Sequence, residues 1–106
     1  MSMLLIATIM TGAANAQGIT VEGILDCGQW VRARTEKNST AIGHYVIGVI
    51  NGLAIGKGVE FWRAGGINIS TEAIYLWMDG YCRQHPLNQV FEGAFALYKE
   101  RSGWRP

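Results

Sequence analysis

The amino-acid sequence predicts a small all-α protein, a bundle of about four helices with one disulfide joining the first and third. Three observations carry that expectation. Proline occurs only twice, at Pro86 and Pro106, too seldom for the many turns of a β-sandwich. Apolar residues recur at helical spacing in four stretches, each bounded by Ser, Thr, Asn or Gly. The two cysteines, Cys27 and Cys82, fall on two of those apolar stripes.

A leader is expected ahead of the bundle. Residues 3–10 (MLLIATIM) are apolar apart from one threonine, and Ala14-Asn15-Ala16 follows before Gln17. An apolar core ending in a small-x-small site is what signal peptidase reads. The expected organisation is a signal peptide over residues 1–16 and one helical domain over residues 17–106. Export would place that domain in an oxidising compartment, where cysteine pairs close. Met1-Ser2-Met3 lacks the usual Lys or Arg, which is the pattern of an internal start with its basic region upstream.

The first helical segment spans about residues 21–37. Thr20 is its expected cap, Glu22 suits the positive first turn, and Ile24, Cys27, Val31 and Arg34 follow helical spacing with Trp30 beside them. Gly23 and Gly28 weaken it, each by about 1 kcal/mol relative to alanine.

The second segment begins near Asn38-Ser39-Thr40 and runs to about Gly58. No charge occurs between Ala41 and Gly56. That run is shorter than the roughly twenty residues of a membrane span and contains His44 and Asn51, so a buried helix is expected, with no membrane span after cleavage. Its rival is a strand, since Tyr45, Ile47 and Val49 alternate and β-branched residues are plentiful. Gly48, Gly52 and Gly56 recur every fourth residue and bare one face of a helix. Such a face serves either tight helix packing inside the fold, the commoner use in a soluble protein, or a partner surface.

Residues 59–69 (VEFWRAGGINI) read as a connection broken by Gly65-Gly66. Ser70 then caps a third helix with Glu72 in its first turn. Ile74, Met78, Cys82 and His85 form its stripe, flanked by Trp77 and Tyr81, and Pro86 ends it at His85. The fourth helix runs from about Asn88 to Arg101, with Val90, Phe91, Ala94, Phe95 and Tyr98 on its apolar face. Ser102-Gly103 stops it, and Trp104-Arg105-Pro106 follow. Because Cys27 and Cys82 both lie on apolar stripes, the first and third helices should pack with the cysteines facing. The chain-entropy relation assigns such a link roughly 4 kcal/mol, comparable to the whole stability of a small domain.

Chemistry-bearing motifs are scarce. With nine basic and eight acidic residues the formal net charge is +1, and the apolar content is 49%. A balance that even, with dispersed basic residues, gives no electrostatic reason to bind nucleic acid or an anionic membrane. The apolar content is too high for a disordered chain. Of the two histidines, His44 reads as a hydrogen-bonded core residue and His85 as a C-terminal helix cap. There is no H-x-x-x-H or C-x-x-C, no nucleophile elbow and no phosphate loop with its lysine. No metal, no cofactor and no enzymatic activity are therefore expected. Asn38-Ser39-Thr40 and Asn68-Ile69-Ser70 match the glycosylation triplet but coincide with helix starts. Large rings remain: Trp62 and Trp104 fall in a connection and a tail, where they either lid the core or anchor a partner.

Several of these residues carry a family resemblance. The segment HYVIGVINGLAIG is similar to the "GYIxGvxDG" middle helix of Tai-type immunity proteins of type VI secretion. Gly48 and Gly52 match its glycines, and Asn51 stands where an aspartate is usual. ISTEAIYLWMDGYCRQHP resembles the stretch ending in "hP" in that group. The lone pair Cys27 and Cys82 is instead the arrangement of HdeA-type periplasmic acid chaperones, and the chain resembles the superfamily holding both. That resemblance implies a disulfide-stapled periplasmic protein, often dimeric, that acts by binding another protein. In the Tai-type reading the partner is a peptidoglycan amidase effector, which is neutralised. In the HdeA-type reading it is an unfolded client held in acid. A third expectation is an accessory periplasmic factor of a conjugation or secretion system.

Overall fold

The computed structural model describes Thr20, Glu22 and residues 24–106. The expected leader at residues 1–16 lies outside the described residues, as do Val21 and Gly23 at the expected start of the first helix. Four helices follow in order: α1 (Cys27–Thr35), α2 (Thr40–Lys57), α3 (Thr71–Gln84) and α4 (Val90–Ser102). A 3₁₀ turn at Ala64–Gly66 lies between α2 and α3. Among the described residues there is no strand, only an isolated bridge between Asp26 and Gln89. The strand alternative for the second segment is thereby excluded. Cys27 and Cys82 form the expected disulfide between α1 and α3.

The helix boundaries follow local chemistry. α1 starts at Cys27, not near residue 21, and its cap is Asp26, not Thr20. The Asp26 carboxylate accepts from the Gln29 backbone N–H while the Gln29 amide oxygen accepts from that of Asp26, both at 2.8 Å. Such a reciprocal cap contributes about 1 kcal/mol. The backbone at residues 25–27 also pairs with the α3–α4 connection: Cys27 N–H donates to the Asn88 carbonyl and Val90 N–H to that of Leu25, each at 2.9 Å. Backbone so paired cannot begin a helix earlier. Ser70 caps α3 as expected, accepting from Ala73 N–H at 3.1 Å. Gly58 and Gly103 close α2 and α4.

The core is built by α2, α3 and α4, with α1 laid on α3. Ile42, Val46 and Ile50 of α2 meet Ala94, Leu97 and Tyr98 of α4 in one buried cluster. The α3 stripe is as expected, with Ile74, Met78 and Cys82 buried and Trp77 and Tyr81 half-buried beside them. The α1 stripe is rotated from expectation. Cys27 and Trp30 are fully buried, whereas Ile24 is 88% exposed and Val31 40% exposed. Once the disulfide points Cys27 at α3, Trp30 follows it inward and Val31 turns out. Two glycines allow close contact: a Cβ at Gly43 would lie 2.9 Å from the Tyr75 ring, and one at Gly93 2.7 Å from that of Tyr81.

Candidate functional site

No described helix is long and apolar enough to cross a membrane. Among the described residues, no three His, Cys, Asp or Glu are grouped to hold a metal ion. What stands out is the surface along α2 and the connection that follows it.

The glycine stripe faces outward. A Cβ at Gly48, Gly52 or Gly56 would meet nothing within 4 Å, and all three residues are exposed. The expectation of internal helix packing by these glycines is therefore corrected. Helix packing inside the fold uses Gly43 and Gly93 instead, because those two lie on the faces turned to α3. His44 is corrected likewise, since it is exposed and not in the core. It lines an open cleft of about 460 Å³ with Arg34, Ser39, Thr40, Glu72 and Tyr75. The α2 surface from His44 through Gly48, Asn51 and Gly52 to Ile55, which is 83% exposed, carries no charged side chain.

Beside this face lies the 59–69 connection, held from within by α4. Arg101 donates from Nε to the Phe61 carbonyl at 2.7 Å and from Nη2 to the Trp62 carbonyl at 3.1 Å and to the Ile67 carbonyl. The Tyr98 hydroxyl donates to the Val59 carbonyl at 3.0 Å. The loop closes on itself where Ile69 N–H donates to the Trp62 carbonyl at 3.1 Å. Gly65 and Gly66 take φ of 69° and 80° at its turn, values that side chains with a Cβ rarely adopt. A guanidinium engaging three carbonyls fixes the loop with charge-assisted hydrogen bonds. Its tip nevertheless leaves Ile67 70% exposed.

Trp62 joins the loop to the glycine face. Its Nε1–H donates to Asn51 Oδ1 at 2.7 Å, and its ring packs edge-on against Phe61. Trp104 packs on Phe95, their centroids 6.0 Å apart, beneath the Lys57 ammonium at 4.2 Å. Both tryptophans are half-buried against the core, so each lids it while keeping part of its ring in solvent. The large apolar residue exposed by the loop is Ile67, which the sequence reading did not single out. An apolar residue directly after Gly65-Gly66 was the available signal.

Across the molecule, α1 is tied to α3 by a second node. Asp79 accepts from Trp30 Nε1 at 2.7 Å and from Arg34 Nε and Nη2 at 2.9 Å each. Burial pushes the Asp79 carboxyl up, but the hydrogen bonds from Arg34 and Trp30 and the charges of Arg34 and Arg83 outweigh it, so its pKa is lowered. The Arg34 pKa rises in turn, chiefly through its hydrogen bond to Asp79. His85 caps α3, its ring 4.6 Å from that of Tyr81.

Compared with known proteins, the chain matches no family model, no curated protein and no solved structure.

Proposed function

We propose that this is an exported periplasmic protein that acts by docking on another protein, in the manner of the Tai-type immunity proteins it resembles. The partner in that reading is a peptidoglycan amidase effector, which the bound protein keeps from the cell wall. One observation carries it: the 59–69 loop is fixed by three Arg101 hydrogen bonds yet exposes Ile67, beside the uncharged outer face of α2. A loop already ordered before contact avoids the entropic cost of ordering it on binding. An uncharged, glycine-lined helix face lets a partner backbone come close without desolvating charge.

Acid chaperoning, the HdeA-type alternative, requires native carboxylates whose protonation weakens the fold. Asp79 is such a group, but its ion pair with Arg34, the one among the described residues, joins only α1 to α3 and gives a small acid loss. Immunity is therefore the reading preferred here.

The test uses a secreted amidase encoded beside this gene. Peptidoglycan hydrolysis is followed with increasing amounts of the disulfide-bonded protein. Inhibition that saturates near one protein per enzyme is expected, and Ile67→Asp should weaken it at least tenfold with unchanged far-UV circular dichroism. Full hydrolysis at a tenfold molar excess would remove the immunity reading. Suppression of client light scattering at pH 2–3 would move the function to the chaperone alternative.

A further inference from the structure

Three of the nine basic residues, scattered in sequence, are gathered by the fold where α2 and α4 end together. Lys57 closes α2, Lys99 lies in the last turn of α4, and Arg105 follows it. The Lys57 ammonium sits 4.2 Å from the Trp104 ring centroid, and the Lys99 ammonium 4.8 Å from that of Phe95. Those two rings touch, and Phe91 extends the row at 6.0 Å from Phe95. Lys99, Trp104 and Arg105 also line a shallow cleft of about 400 Å³, in which Glu100 is the one acidic side chain.

The chemistry of these cations differs from that of Arg34. Arg34 is neutralised by Asp79, the one ion pair among the described residues. Lys57, Lys99 and Arg105 have no carboxylate within ion-pair distance among those residues. An aromatic face holds an ammonium in place without cancelling its charge. Lys57 and Lys99 are therefore held over a half-buried aromatic row with their charge uncancelled, and Arg105 stands beside them at the cleft. Basic residues at helix ends complement the helix dipole, which explains Lys57 and Lys99 singly. It does not explain Arg105 beyond α4, or why one aromatic row serves both lysines.

We propose that this surface is a docking site for an acidic segment of a protein partner, its carboxylates meeting Lys57, Lys99 and Arg105 and its apolar atoms meeting Trp104. Charge complementarity selects that occupant, and the flat rings suit an extended peptide. The site lies apart from the 59–69 loop tip, so it can fail while the immunity reading stands, and the reverse.

The experiment titrates the ¹⁵N-labelled, disulfide-bonded protein with an N-acetylated hexaglutamate peptide. Saturable shifts confined to the Trp104 indole N–H and to amides near Lys57, Lys99 and Arg105 are expected. Affinity should fall at least tenfold in the Lys57→Gln/Lys99→Gln double variant, whose neutral side chains leave the helices intact. It should also fall steeply between 20 and about 200 mM salt. Arg32→Gln, on the far side of the core, should leave it unchanged. Shifts spread over the whole protein, the absence of saturation, or equal affinity in the double variant would overturn the proposal. So would tighter binding to phosphatidylglycerol vesicles than to the peptide, which would assign the surface to a membrane.

Discussion

Replacing helical glycines by alanine should act with opposite signs on the two faces of this protein. Alanine is favoured over glycine in a helix interior by about 1 kcal/mol. At Gly48 and Gly52 the added methyl meets nothing within 4 Å, so that gain should appear undiminished. Each substitution should raise the melting temperature by about 4–8 °C, the usual response of a domain this size to 1 kcal/mol. At Gly93 the same methyl would sit 2.7 Å from Tyr81 Cδ2 and 2.8 Å from Met78 Cε. The Met78 methyl can swing away. Tyr81 cannot, because its ring stacks on Trp77 and its hydroxyl accepts from Asn88 Nδ2 at 2.8 Å. Overpacking costs about 1–3 kcal/mol and offsets the helical gain, leaving Gly93→Ala destabilised by about 1 kcal/mol. The assay is urea unfolding of oxidised protein, with midpoints compared at constant slope. Destabilisation by Gly48→Ala that deepens with protein concentration would show the α2 face is covered by a second copy. Stabilisation by Gly93→Ala would refute the close α3–α4 contact. The docking reading adds a separable effect: Gly48→Ala/Gly52→Ala should bind its partner less well while melting higher.

Other outcomes are equally open to measurement. Reducing the Cys27–Cys82 link should cost about 4 kcal/mol and lower the thermal midpoint sharply, and an unchanged midpoint in dithiothreitol would show the link does not stabilise. Arg101→Ala removes three hydrogen bonds to the connection and should cost about 2–3 kcal/mol. Faster hydrogen exchange should then appear over residues 61–69, and unaltered protection there would mean the loop is held by something else. Asp79 has a lowered folded-state pKa, so its contribution is present above the ordinary carboxylate value of about 3.9 and is lost as pH falls through the folded value. Asp79→Asn should therefore destabilise at pH 7, and that difference should shrink progressively as pH falls below about 3.9. A difference that does not change with pH would show the node is not electrostatic.

The proposed docking elements were unequally legible in sequence. Two glycine features, the Gly48-Gly52-Gly56 repeat and Gly65-Gly66, are visible as spacing, and spacing places the repeat on one helix face. It does not say whether that face turns inward or outward. Arg101 reads as an ordinary basic residue in a last helical turn. Its three carbonyl partners at Phe61, Trp62 and Ile67 are brought to it only by the return of α4 past the loop. One further contact follows from the cysteine positions. Once Cys27 faces Cys82 on antiparallel helices, three residues onward from the first meets three residues back from the second, which is Trp30 against Asp79.

The sequence alone determined the four helices of the described residues, the cap at Ser70, the α3 stripe and the cysteine pairing. Those depend on local backbone preference and on periodicity, which nearest neighbours in the chain encode. Tertiary structure decided which face of α1 and α2 is buried, where α1 begins, and which cations stand together around Trp104. Each of these depends on groups far apart in sequence meeting in space: the Leu25–Val90 backbone pairing, the closing of Cys27 on Cys82, and the shared end of α2 and α4.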